Sequence, residues 1–416
     1  MRRENRFFKL MGFLTTAALC WTGHADGENT GAEWPQWRGP NRDGISIEKG
    51  LLKTWPEGGP KVLWRTALGE GFSGISISQG RAYTMFAQGD DEFAACLDAS
   101  TGKEIWRFRT DTKFTEGNGS GPRSTPTVDE DLVFVLGAKG KFFALNSKNG
   151  NKVWECDFVE EFDSSMRNGG FSTSSLVEGE LLLVETGGEE GRSIVAFDKK
   201  DGRVTWTTHT DTAGYSSPIA ITFNGIRQIL FLTSKTLLAV SPADGQIYWK
   251  YPWSAFRGIN IATPILVPED RIFLSASYDY GAVLIRMKAE DGNMSVAEVW
   301  RSRVMKNHFN SSVLDGNFLY GFDNAILTCI EASSGTEQWR RRGFGKGSLI
   351  LADGHLIVLG DAGKLALVEV NPAEYKEKAQ AQVLEGKCWT APTLAGGKLY
   401  IRNEKELVCL DMKGRL

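Results

Sequence analysis

The sequence predicts an all-β fold: an eight-bladed β-propeller of four-stranded antiparallel blades, docked together by tryptophans and closed by an N-terminal strand. Three observations predict it. A turn-and-tryptophan frame recurs along the chain, a second series of short strands recurs independently, and the last copy of the frame breaks off where an orphan strand near the N-terminus would complete it.

The first element to set aside is residues 1–25, which read as a signal peptide. Arg2, Arg3, Arg6 and Lys9 form a basic stretch, an apolar run follows from Leu10 to Trp21, and Gly23-His24-Ala25 offers small residues for cleavage before Asp26. The apolar run is far shorter than the roughly 20 residues of a membrane span. Cleavage therefore leaves no transmembrane span, with retention as an anchor as the other reading. Leu19 stands before Cys20 where a lipobox wants a small residue, which disfavours lipidation. With this segment removed, the chain is more acidic than its formal net charge of −3, and nucleic acid is not the expected partner. The expected location is the periplasm or the exterior of a bacterial envelope, and the expected state is a monomer.

Residues 26–60 contain EWPQWRGPNRDGIS and read as an ordered extension packing on the propeller, which occupies residues 61–416. There, LDASTGKEIW ends at Trp106, LNSKNGNKVW at Trp154, FDKKDGRVTW at Trp206, VSPADGQIYW at Trp249 and IEASSGTEQW at Trp339. Each copy ends an apolar strand in a polar turn, where Asp or Asn bonds the backbone and Gly supplies positive φ. A new strand then begins, with Trp as its buried anchor. A sixth copy keeps Gly292 and Trp300 around an insertion, a seventh (VNPAEYKEKA) has lost both Gly and Trp, and the eighth (LDMKGRL) ends before its Trp. Trp64 in KVLWRTAL has no turn motif before it, so this strand supplies the missing edge of the last blade.

The second series usually opens with Ser, Thr or Pro: FSGISI, RSTPTV, FSTSSLV, YSSPIAI, IATPILV, FNSSVL, GSLILA and WTAPTL, nearly every one followed by a turn and a second strand. Repeats at 40 to 50 residues mean four-stranded blades. Cys96, Cys329 and Cys409 occupy the repeat position held elsewhere by Ala144 and Ala196, and with Cys156 and Cys388 they read as small buried side chains, not disulfide or metal ligands.

The A-x-D-x-x-T-G-x-x-x-W frame resembles the PQQ (pyrroloquinoline quinone) repeat of quinoprotein alcohol dehydrogenase-like propellers, which is also the repeat of the BamB-like family of outer-membrane protein assembly factors. The resemblance covers nearly the whole mature chain. It implies that Trp64, Trp106, Trp154, Trp206, Trp249, Trp300 and Trp339 are structural, each locking one blade against the next. It also implies two functions: a non-catalytic binding or scaffolding module with envelope proteins as partners, or a PQQ-dependent alcohol or sugar dehydrogenase with calcium. The long-chain enzymes hold calcium with Glu, Asn and Asp and carry adjacent cysteines, and no two cysteines are adjacent here.

Propellers bind ligands on the axis, where the innermost strands begin. The strand starts name a ring: Phe72, Arg123, Phe171, Tyr215, Asn260, His308, Lys346 and Trp389. An aromatic wall with a few cations suits a planar or anionic small molecule, or a peptide. His308 is the candidate base if the protein is an enzyme. No metal site is expected, because the remaining histidines lie at no ligand spacing. Arg340-Arg341-Arg342, following Trp339, reads as a solvated outer edge.

Overall fold

A computed structural model describes residues 33–268 and 270–413; the expected signal peptide and Cys20 lie outside them. Eight antiparallel sheets carry the chain in order. Blade 1 consists of Ser76–Ser78, Arg81–Gln88, Asp91–Asp98 and Glu104–Thr112. Blades 2 to 7 occupy residues 127–157, 176–208, 219–252, 265–302, 313–341 and 348–382, and blade 8 occupies 393–411. The strand Val62–Ala67 completes blade 8 by pairing antiparallel with Glu406–Asp411, Trp64 opposite Cys409. Among the described residues, no helix is long and apolar enough to cross a membrane.

The core lies between blades. Apolar clusters join each blade to its neighbour; one, for instance, joins Phe134 and Trp154 of blade 2 to Leu182 and Phe197 of blade 3. Several outermost strands bury little but their tryptophan: in EQWRR around Trp339 the flanking residues are exposed. Burying an indole contributes about 2–3 kcal/mol, so one residue anchors a strand that is otherwise wet.

The structure gives the repeat a physical reason. The indole N–H of Trp64, Trp106, Trp154, Trp206, Trp300 and Trp339 donates to a turn carbonyl of the following blade at 2.8–3.2 Å. The ring lies flat on that turn's glycine: a Cβ on Gly102, Gly150, Gly202, Gly245 or Gly335 would stand 2.5–2.9 Å from the indole of the preceding blade. These glycines also have φ of 70–74°. The motif Gly therefore serves its own turn and receives its neighbour's Trp. Trp249 departs from the expected lock: it donates to Gln228 Oε1 within its own blade at 3.0 Å, and nothing lies within 4 Å of a Cβ on Gly292 in the next turn. The insertion lengthens the Gly281–Glu290 and Asn293–Ser302 hairpin and carries that turn out of reach. In blade 7 Ala379 takes the docking position opposite Leu367, and Trp55 of the extension packs against the same cluster.

Ser and Thr open the innermost strands for a reason the sequence did not disclose. Neighbouring innermost strands share no ladder, and hydroxyls bridge them instead. Thr125 Oγ1 accepts from Gly74 N, Ser174 Oγ from Thr125 N, Ser217 Oγ from Ser174 N and Ser311 Oγ from Thr263 N, all at 2.9–3.1 Å. At the seam between blades 8 and 1, the fully buried Arg402 donates to the carbonyls of Gly69, Ser73 and Met85. Burial lowers its pKa to about 9, against the opposing pull of Glu404.

The extension does more than pack on the surface: it enters the axis and touches every blade. Trp34 pairs with Ile77, Pro35 O accepts from Val128 N, and Trp37 Nε1 donates to Thr263 Oγ1 at 2.9 Å. Buried Arg42 donates to Ser174 O, Ser175 O and Pro218 O, and buried Arg38 to Ser312 O. Ile45–Ser46 then adds a short parallel fifth strand to blade 7, and Glu48 accepts from Gly397 N of blade 8. Arg38 and Arg42 themselves have positive φ, at 61° and 57°.

Gly202→Ala should destabilise the protein by about 2–4 kcal/mol, adding an overpacked indole to left-handed strain. Gly292→Ala should cost only about 1 kcal/mol, from backbone strain alone. Urea unfolding of the pair checks the difference. Arg42→Ala should cost about 3 kcal/mol by stranding buried carbonyls, read in the same assay.

Candidate functional site

The hydroxyl bridges fix how the innermost strands align around the axis. Since Thr125 and Ser174 are equivalent, Arg123 matches Ser172, not Phe171; since Ser216 donates to Ala262 O, Tyr215 matches Ile261, not Asn260. The same alignment puts Phe309, not His308, in the ring. The ring is therefore Phe72, Arg123, Ser172, Tyr215, Ile261, Phe309, Lys346 and Trp389, and all eight line one cavity of about 450 Å³.

The sequence-derived ring was one residue out of register at three blades. In extended chain such a slip sends a side chain to the opposite face. Phe171 accordingly lies in the core, 5.7 Å from Phe158 and edge-on to it, and is no channel residue. Asn260 is fully buried and donates to Thr233 O, Ser234 O and Trp253 O, bracing a loop. His308 reaches the cavity from the neighbouring position.

The cavity is a cup. Its mouth lies among the loops that lead from each outermost strand to the next blade, and Trp37 of the extension contributes to its lining from the axis. An arc of aromatic rings follows one wall: Phe72 to Trp389 at 5.2 Å, Trp389 to Phe309 stacked at 4.4 Å, Phe309 to His308 at 5.0 Å, and His308 to Tyr278 at 5.1 Å. Lys387 Nζ lies over Trp389 at 4.6 Å.

At the Phe72 end of this arc, its guanidinium 5.7 Å from that ring, Arg123 donates to Glu116 at 3.0 Å and to the carbonyls of Gly119 and Gly121. Glu116, which the strand-start alignment missed because it sits on a loop, is thus committed to a neighbouring cation. Lys346 is held by its backbone, whose N–H donates to Asp361 Oδ2 at 2.8 Å. Among the described residues its Nζ meets no carboxylate or acceptor.

Buried acids brace the loops that carry this ring. Glu92 accepts from Phe114 N and Ala138 N, and Glu185 accepts from Gly214 N, next to Tyr215, at 2.9 Å. Desolvation raises both acids, Glu185 to about 8. His308 goes the other way: desolvation and the nearby Lys346 lower it to about 4, so it is neutral and weakly basic at neutral pH. It donates or accepts at 3.1 Å with the Tyr278 hydroxyl, while its Nδ1 has no partner.

These residues do not fit a calcium-supported quinone. Among the described residues no three His, Cys, Asp or Glu side chains cluster to hold a metal, and the cup's carboxylate is spent on Arg123. The five described cysteines are free and buried, and desolvation raises the thiols of Cys96, Cys156, Cys329, Cys388 and Cys409.

A family model described as outer membrane protein assembly factor BamB matches residues 50–166 and 159–341. The BamB of Yersinia pestis is 24% identical over 82% of this chain and 86% of its own length. That of Burkholderia pseudomallei (strain K96243) is 23% identical over 72% of this chain and 74% of its own. In fold, the crystal structure of the computationally designed Ika8 protein is similar with a TM-score of 0.57 and 10% identity, covering 87% of this chain and all (100%) of that one.

Glu185 makes stability pH-dependent with a definite sign. Its folded pKa of about 8 exceeds the ordinary 4.5, so the folded state holds a proton that the unfolded state has lost between these values. The stability this contributes is complete below pH 4.5 and drains away as pH rises through 8. Glu185→Gln should therefore melt above the parent protein at pH 8.5 by more than at pH 5, as thermal unfolding at the two pH values will show.

Proposed function

The chain belongs to the family of outer membrane protein assembly factor BamB, and from that membership we propose that it is a non-catalytic binding or scaffolding module of the bacterial envelope. The observation that carries this reading is the family match across residues 50–341, together with curated relatives of that name aligned over most of both chains. The proposal places the protein beyond the inner membrane, with envelope proteins engaged in outer-membrane protein assembly as its partners.

The outer rim supports a binding role. Exposed apolar side chains recur beside the docking tryptophans of consecutive blades: Leu63, Ile105 and Val153, at 37–47% exposure, each immediately precede Trp64, Trp106 and Trp154. They sit at bulges where the outermost strand falls out of register with its neighbour. Isolated exposed valines need no explanation, but a repeated position on adjoining blades offers a band on which another protein can bury apolar area. Arg340 is meanwhile tied to Asp323 and Glu337, consistent with an outer edge held in solvent.

A dehydrogenase would need a metal donor set and an effective base. The cup supplies a neutral His308 and a Glu116 already paired, which weighs against that reading.

A photo-crosslinking residue at Val153 should capture envelope proteins of the outer-membrane assembly machinery in living cells, and deletion of the gene should lower outer-membrane barrel proteins. Adducts absent at Val153 and Ile105 alike, with unchanged outer-membrane protein levels, would remove the proposal.

A further inference from the structure

The axial cup is built for a ligand, independently of any partner on the outer rim. We propose that it binds a small aromatic monoanion, a flat ring bearing one carboxylate, with the charge on Lys346 and the ring against Phe309 and Trp389.

Three features of the cup lead to that ligand class. The first is charge. Arg123 is neutralised by Glu116, and Lys387 has Glu404 at 3.9 Å, whereas Lys346 Nζ has no anionic partner among the described residues. An ammonium half-removed from water and left unpaired favours an anion over a neutral guest. One such cation selects one negative charge.

The second feature is shape. Phe309 of blade 6 and Trp389 of blade 8 flank Lys346 of blade 7 and stack on each other at 4.4 Å, with Phe72 extending the surface. This surface offers ring faces beside the cation, where a flat aromatic can lie while its carboxylate meets Nζ. On the facing wall, the Ser172 and Tyr215 hydroxyls can serve a second polar edge.

The third feature is closure. The extension occupies the axis on the turn side, and Trp37 lines the cup, so the cavity of about 450 Å³ opens by its loop-side mouth. That size takes a one- or two-ring acid. A bulky polyanion has neither the volume nor the counter-charges.

The test titrates the full mature protein with 1-naphthoate and with its neutral counterpart 1-naphthylmethanol, by calorimetry and tryptophan fluorescence. Naphthoate is expected to bind saturably, about tenfold more tightly than the alcohol. Lys346→Gln should erase that tenfold preference and leave the alcohol unchanged, while Phe309→Leu should weaken both. Both variants are checked for an unchanged melting temperature, and Lys346, half-exposed and held through its backbone, is not a folding residue. Equal binding of naphthoate and the alcohol, equal binding by the Lys346→Gln protein, or no saturable binding at millimolar naphthoate overturns the proposal. Each of these results leaves crosslinking at Val153 untouched, so the two readings fail separately.

Discussion

Everything in this molecule depends on an indole lying on the glycine of the next blade's turn. A four-stranded blade has two apolar faces and cannot hide either alone. It does so against its neighbours, and the docked tryptophan sets the distance and angle at which they meet. The hydrogen bond from Nε1 to a turn carbonyl adds direction to what would otherwise be non-directional burial. Because six of the tryptophans lock forward, the ring is a closed chain of pairwise contacts, and its weakest links are the irregular ones. Trp249 misses its turn, and blade 7 has Ala379 where the others have Trp. At the second of these points the extension brings in Trp55.

The legible part of the fold was the part that repeats. Blade number, the closing strand at Trp64 and the shared position of Cys96, Cys329 and Cys409 all follow from a frame counted along the chain. The site was legible only in outline. Without the hydroxyl bridges nothing in the sequence aligns RSTPTV with FSTSSLV to the residue, and a slip of one exchanges Ser172 for Phe171. The path of the extension was hidden for another reason. Arg38 and Arg42 bind backbone carbonyls, which every sequence possesses, so no pattern of partner residues announces them.

The cup and the rim are separate resources of one scaffold. The rim is made by the outermost strands and their bulges, the cup by residues just ahead of the innermost strands, and the interblade core stands between them. The bracing acids Glu92 and Glu185 tie the cup's loops to that core, so the positions of Arg123 and Tyr215 are set by buried, directional bonds.

The extension also dictates when the molecule can become complete. Early residues bond to much later ones: Trp64 pairs with Cys409, and Glu48 receives the amide of Gly397, 349 positions away. Intermediate blades can form as they emerge, since each hairpin is local. The ring itself has very high contact order, and its closure waits for the final strand. Until then the strand Val62–Ala67 lacks its partner Glu406–Asp411, and the face of blade 1 that meets blade 8 is uncovered. A nascent or truncated chain is thus a row of blades with two open ends, exposed to aggregation and proteolysis in a way that the finished ring is not.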